Sequence, residues 1–87
     1  MKVKLFGSLR QKVGNAELEG SGATIREALE SLCIDNKPLH AAIFVGDELR
    51  PHIRVMVNGH DCELADGLET AVSAQDTVAI FPPIAGG

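Results

Sequence analysis

An amphipathic helix set between short alternating segments constrains the fold of this chain more than any other feature. Thr24 and Glu27 have the spacing of a capping box, in which a hydroxyl and a carboxylate each satisfy a backbone N–H at the start of a helix. The apolar residues that follow share one helical stripe: Ile25, Ala28, Leu29, Leu32 and Cys33. This stripe has to be buried against an apolar surface elsewhere in the chain.

Alternating segments supply that surface, because strand residues point in turn to the two faces of a sheet. The dipeptide Asn58-Gly59 is the strongest hairpin signal, since a type I′ turn needs positive φ at both positions. A helical turn is expected around Leu9 and Val13, and a short second helix from Pro38 to Ile43. Strands are predicted at 2–6, 16–19, 53–57, 60–64 and 77–81.

This order of elements predicts an α+β fold: a mixed sheet of four to five strands with one main helix packed on one face. The alternation assigns six residues to the face beneath the helix: Val3, Leu5, Val55, Val57, Val78 and Ile80. With 87 residues, of which 45% are hydrophobic and 23% charged, the chain has the composition of one globular domain and little room for a deep active site.

Charge and hydropathy exclude several classes of partner. The net charge of −4 and the absence of a run of Lys or Arg argue against nucleic acid. The sequence has no run of about 18 apolar residues, so no membrane association is predicted. The first residues lack the apolar stretch of a signal peptide, and a cytoplasmic location is therefore expected.

The C-terminal residues form a segment of their own. Pro82-Pro83 stops the last strand and favours an extended chain, and Ile84, Ala85, Gly86 and Gly87 follow. We therefore divide the chain into a domain at 1–81 and a flexible Gly-Gly tail at 82–87, which can reach about 20 Å. Glycines without Cβ atoms pass a narrow channel and leave the Gly87 carboxylate unhindered. The alternative is an ordinary frayed terminus.

Other reactive side chains have simpler interpretations. Cys33 and Cys62 are expected to be small buried hydrophobes, with a redox or sulfur-transfer role as the alternative. The three histidines lack metal-ligand spacing, so no metal site is predicted. Asp47 and Glu48 fall in a turn. The remaining acids of the C-terminal half are expected to form a solvated face: Asp61, Glu63, Asp66 and Glu69.

Four segments together resemble the MoaD family, the small subunits of molybdopterin synthase. They are KVKLFGSLRQKVG, TIREALESL, LRPHIRVMVNG and DTVAIFPPIAGG. The longer middle of the chain and the LRPH–NG segment look most like archaeal-type MoaD proteins and small archaeal modifier proteins. The resemblance covers nearly the whole chain and implies the ubiquitin-like β-grasp fold, in agreement with the predicted order of elements.

The resemblance also implies a chemistry at Gly87 and Gly86. A ubiquitin-activating-type adenylyltransferase, of the MoeB type, uses MgATP to adenylate the terminal carboxylate, and persulfide sulfur from a sulfurtransferase then gives a thiocarboxylate. The MoaE-type large subunit receives the tail and supplies the catalytic groups. On this interpretation the chain binds no cofactor and is not itself an enzyme. It is a sulfur-donating cosubstrate of molybdenum or tungsten cofactor synthesis.

Strand parity points to a docking surface for these partners. If Val3, Leu5, Val78 and Ile80 face the helix, Phe6 and Phe81 meet on the opposite face, and the family carries aromatics at both matching positions. The predicted partner-binding residues are Phe6, Phe81, Pro82, Pro83, Ile84 and Ala85. The alternative is that the turn at residues 9–13 covers one ring.

Other functions remain open at this level. The same adenylate would let Gly87 form an isopeptide bond with a target lysine, which would make the chain a protein modifier. Carriers for tRNA thiolation or thiamin use the same terminal chemistry, although ThiS-type chains tend to be shorter where this one has residues 34–52. An inert β-grasp binding module would not need Gly86 and Gly87.

Overall fold

The computed structural model describes residues 1–82. It contains three α-helices, α1 (Ser8–Val13), α2 (Ile25–Asp35) and α3 (Lys37–Ile43). Seven strands occur in the described residues: β1 (Lys2–Leu5), β2 (Glu17–Glu19), β3 (Phe44–Val45), β4 (Glu48–Leu49), β5 (Arg54–Val57), β6 (His60–Asp61) and β7 (Thr77–Phe81). Two 3-10 turns lie between β6 and β7, at Cys62–Leu64 and Gly67–Glu69.

Five of these strands form one mixed sheet in the order β2-β1-β7-β5-β6. The central pair, β1 and β7, is parallel, with Leu5 opposite Ile80, and its neighbours β2 and β5 are antiparallel to it. The hairpin between β5 and β6 turns at Asn58 and Gly59, whose φ angles of 50° and 86° fit the type I′ turn. The predicted β-grasp architecture is confirmed.

The main helix α2 begins where the capping box predicts. The Thr24 hydroxyl accepts a hydrogen bond from the Glu27 N–H at 3.2 Å, and the Glu27 carboxylate accepts one from the Ala23 N–H at 2.9 Å. The whole predicted stripe of α2 is buried in the core with the inward residues of the central strands, among them Val3, Leu5, Val55, Val78 and Ile80. Val57, the sixth residue assigned to this face, is only partly buried and packs against the core.

The predicted fourth strand is too long. Only His60–Asp61 pairs with β5, and Cys62–Leu64 turns into a 3-10 helix. The Asp61 carboxylate accepts a hydrogen bond from the Glu63 N–H at 2.9 Å, and this bond stabilises the 3-10 turn in place of a longer strand. The turn also buries Cys62. The predicted strand at 16–19 begins one residue later, and the first strand ends at Leu5.

Residues 34–52 form a compact addition to the sheet. Helix α3, expected from Pro38 to Ile43, begins one residue earlier at Lys37 and buries Leu39 and Ile43. A small hairpin of β3 and β4 follows around the turn at Gly46-Asp47. The two strands of this hairpin are too short to show alternation in the sequence. Over residues 1–82, the structure contains no helix of the length and apolarity that a membrane crossing requires.

Candidate functional site

The ends of the two central strands bring Phe6 and Phe81 together. Phe81 is the last residue of β7, and Phe6 directly follows β1 and donates its backbone N–H to the Ile80 carbonyl at 3.2 Å. The two rings stack with centroids 4.5 Å apart and planes 10° from parallel. The predicted meeting of these rings on the open face of the sheet is therefore confirmed.

Both rings keep access to solvent. Phe6 is 38% exposed, and Phe81 is half-buried. The segment predicted as a possible cover packs elsewhere, because Leu9 is buried in the core and Val13 packs against that core. The aromatic pair is thus a stacked apolar surface on the side of the sheet opposite α2.

Charged residues share the open face of the sheet with the aromatic pair. Lys2 and Lys4 on β1 lie opposite Glu19 and Glu17 on β2. Arg54 of β5 lies opposite Phe81, and its guanidinium donates to the Asp61 carboxylate at 2.9 Å. The exposed face therefore combines one apolar centre with charges of both signs, the composition of a polar rim around an anchor.

The connection to the C-terminal residues begins beside this pair. Pro82 is half-buried, and its ring lies next to Gly7, which has a positive φ of 58°. Sequence reasoning missed Gly7, because nothing in the dipeptide Phe6-Gly7 reveals a neighbour from the other end of the chain. The other predicted site residues lie outside the described residues: Pro83, Ile84, Ala85, Gly86 and Gly87.

The two cysteines are free and buried, as predicted. Burial raises the pKa of the Cys33 thiol from 9.0 to about 11, with the Glu30 carboxylate as a second cause. Burial also raises the pKa of Cys62, and Asp61 and Glu63 add to the effect. Neither thiol is a thiolate near neutral pH, and thiolates are the nucleophilic form of cysteine.

The acids of the C-terminal half are not all solvated. Glu69 accepts a hydrogen bond from Arg26 of α2 at 2.6 Å, and Asp61 is paired with Arg54. The Glu63 N–H and the Arg54 guanidinium together lower the pKa of Asp61. The prediction of a solvated acidic face was therefore wrong for Asp61, whose side chain is only 16% exposed beside Arg54. Glu69 stays solvated, with 61% of its side chain exposed, although it pairs with Arg26.

An open polar depression of about 190 Å³ lies beside this ion pair, lined by His52, Ile53, Arg54, Asp61 and Glu63. Its ionised Asp61 suits an ion pair, whereas a general acid needs a raised pKa. Within residues 1–82, no group of three His, Cys, Asp or Glu side chains is arranged to hold a metal ion. The aromatic pair and the residues that continue from it are the better candidate site.

Known proteins are similar to this chain along its whole length. The model of the ThiS family matches residues 3–87. A putative sulfur carrier protein of Archaeoglobus fulgidus is 36% identical over 100% of this chain and 98% of its own length. Small archaeal modifier protein 3 of Haloferax volcanii is 31% identical, again over 100% of this chain and 98% of its own length.

A solved structure is similar over the same span. The crystal structure of the BexX/CysO complex of Amycolatopsis orientalis contains a chain that superimposes with a TM-score of 0.88 and 31% identity, covering 99% of this chain and 98% of that one. The family model, the relatives and the architecture agree. The chain therefore belongs to the ThiS family, the ubiquitin-like β-grasp sulfur carriers and modifiers.

Proposed function

We propose that this chain carries sulfur as a thiocarboxylate on Gly87 and delivers it in molybdopterin synthase. The observation that carries the proposal is the match of the ThiS family model through residue 87, together with a partly exposed aromatic pair where the C-terminal segment begins. The glycine end supplies the carboxylate, and the stacked rings of Phe6 and Phe81 supply a surface on which a partner can dock.

The chemistry follows from the weakness of a carboxylate as an electrophile. A partner adenylyltransferase of the MoeB type transfers AMP from MgATP to the Gly87 carboxylate, with release of pyrophosphate. A persulfide sulfur from a sulfurtransferase then attacks the acyl carbon and expels AMP, and reduction of the resulting acyl disulfide by a thiol leaves the thiocarboxylate. Because both cysteines of this chain are buried, the sulfur that attacks comes from the partner.

The acceptor is inferred from the resemblance of the LRPH–NG segment and of the C-terminal residues to MoaD proteins. A MoaE-type large subunit would receive the C-terminal segment and provide the groups that stabilise charge during transfer. The BexX/CysO complex supports docking as the mode of action, because a chain of the same fold was crystallised there as part of a complex.

The test is reconstitution with a MoeB-type adenylyltransferase, MgATP and a sulfurtransferase, followed by intact-mass measurement. The expected product is heavier than the starting chain by the difference between one sulfur and one oxygen. A chain extended by one alanine beyond Gly87 is the control and should stay unmodified. Adding a MoaE-type subunit and the sulfur-free precursor should return the carboxylate and yield molybdopterin. Equal modification of the extended chain, or no modification of the natural chain, would disprove the proposal.

A second candidate function is conjugation to protein lysines through Gly87. Its support is the relative named small archaeal modifier protein 3, which aligns along this entire chain. Both functions begin with the same adenylate, so the first step does not separate them. Cell extracts should be digested with trypsin and examined for lysines that carry the C-terminal peptide from Val55 to Gly87, because Arg54 is the last Lys or Arg of the chain. Conjugates that form while the thiocarboxylate is never found would favour the modifier.

A further inference from the structure

Gly7 stands where the two ends of the described chain touch. It occupies the second position of a turn in which the Leu9 N–H donates to the Phe6 carbonyl at 3.2 Å. Its φ of 58° and ψ of −133° correspond to the second residue of a type II′ turn, a position that favours glycine. The turn joins β1 to α1 directly beside the ring of Phe6.

The Pro82 ring fills the space that a side chain at position 7 would need. A Cβ atom built on Gly7 lies 3.0 Å from the Pro82 Cγ and 3.6 Å from its Cδ. Carbon atoms in contact prefer separations of about 3.5–4.0 Å, so a methyl group here would push the proline ring away. Gly7, which has no side chain, therefore leaves room for the Pro82 ring, and we call this packing contact the seat of Pro82.

Three successive contacts hold this region together. The Phe6 N–H bonds the Ile80 carbonyl, the Phe6 ring stacks on Phe81, and Gly7 packs on Pro82. The two residues that follow β1, Phe6 and Gly7, thus contact Phe81 at the end of β7 and Pro82 directly after it. The chain continues from this point to Gly87 through only five further residues.

We infer that Gly7 is a positioning residue: by seating Pro82 it fixes the point from which residues 83–87 start. This rests on the proposed function, in which the Gly87 carboxylate must meet an activated phosphate in a partner's active site. Errors of about 1 Å in the placement of reacting groups can cost about a hundredfold in rate. A shift of Pro82 changes the starting point of the reacting segment while the docking surface stays in place.

The test compares two glycine-to-alanine variants in the adenylation assay. Gly7→Ala adds a methyl group against Pro82, whereas Gly14→Ala adds one at a φ of 87° with no atom within 4 Å. We expect Gly7→Ala to lower kcat about tenfold while KM for the carrier stays within about twofold, because docking is retained. Gly14→Ala should leave both constants unchanged. An equal fall in kcat for both variants would overturn the inference.

Rescue separates the contact from backbone strain. Pro82→Ala removes the Cγ and Cδ atoms that the methyl group meets, so Gly7→Ala should cost much less activity in the Pro82→Ala background than in the natural chain. A Gly7→Ala effect of equal size in both backgrounds would assign the loss to strain and refute the seat. If Gly7→Ala does not fold, Gly7→Asn replaces it, because asparagine tolerates positive φ and also carries a Cβ.

A second measurement does not depend on the proposed function. Nuclear Overhauser contacts between the Gly7 Hα and Pro82 ring protons are expected in the natural chain and should weaken in Gly7→Ala, because the added methyl group displaces the ring. Their absence from the natural chain would overturn the inference even if adenylation proceeds. A natural chain that shows the contacts but is never adenylated would instead contradict the proposed function and, with it, the positioning role.

Discussion

Cys33 illustrates how the surroundings of one residue decide its chemistry. It lies on the buried stripe of α2 with 8% of its surface exposed, and its pKa is raised to about 11. A thiol that stays protonated cannot attack an acyl-adenylate, so the sulfur chemistry of the proposed function is assigned to Gly87 and to partners. The same burial makes the stability of the fold depend on pH in the alkaline range.

We predict that the free energy of unfolding falls as the pH rises from 9 to 11. The Cys33 thiol loses its proton near pH 9.0 in the unfolded chain but near pH 11 in the folded one, so the unfolded state binds fewer protons in this interval. Urea unfolding measured across this range should show the decline, and tyrosine does not obscure it because the chain has none. Cys33→Ala should reduce the slope. An unchanged slope in Cys33→Ala would contradict the assignment.

At the scale of elements, the parallel pairing of β1 with β7 creates the candidate site. These strands come from opposite ends of the sequence, and their register places Leu5 opposite Ile80 in the core and the next residues, Phe6 and Phe81, on the open face. Because α2 covers the other face, the aromatic pair is not needed to close the core. Its removal should therefore affect binding more than stability.

We predict that Phe6→Ala and Phe81→Ala each weaken binding to the adenylyltransferase by about 2 kcal/mol or more, as expected of a central aromatic anchor. Each should cost only about 1 kcal/mol of stability, because the stacked rings are partly exposed. Calorimetric titration and urea unfolding provide the two measurements. Ile34→Ala is the matched control, since Ile34 is 77% exposed at the end of α2 and its loss should leave binding unchanged. Unaltered binding in both phenylalanine variants would refute the docking surface.

On the scale of the whole molecule, one apolar core holds the described chain together. Within residues 1–82, its buried members extend from Met1 to Ile80. In sequence order, β7 is the last strand of the five-stranded sheet, although it lies at the centre of that sheet. The division into a domain at 1–81 and a tail at 82–87 remains a prediction, and the distribution of the core makes it testable.

We predict that deleting residues 83–87 changes the free energy of unfolding by less than about 0.5 kcal/mol, because the deletion leaves the core found within residues 1–82 intact. The same deletion should abolish adenylation completely. Thermal unfolding and the adenylation assay measure the two effects on one preparation. A large fall in Tm would show that the C-terminal residues contribute to the fold.

Local sequence determined those features whose causes lie within a few residues. Thr24 and Glu27 start α2, Asn58 and Gly59 turn the hairpin, and the alternation in β1 and β7 selects the buried face. Parity alone also placed Phe6 and Phe81 on the open face, because a period of two leaves no other choice. Hydrogen-bond and steric rules that act over a turn or a strand are sufficient for these predictions.

Only the tertiary structure decided the features that depend on register between distant segments. The ion pairs of Arg54 and Arg26 and the contact of Pro82 with Gly7 all need the sheet to be assembled first. A glycine at position 7 fits any turn, but only the parallel pairing of β1 with β7 brings the proline ring against it. Contacts between residues far apart in the chain depend on how the whole core packs, and no local pattern encodes that packing.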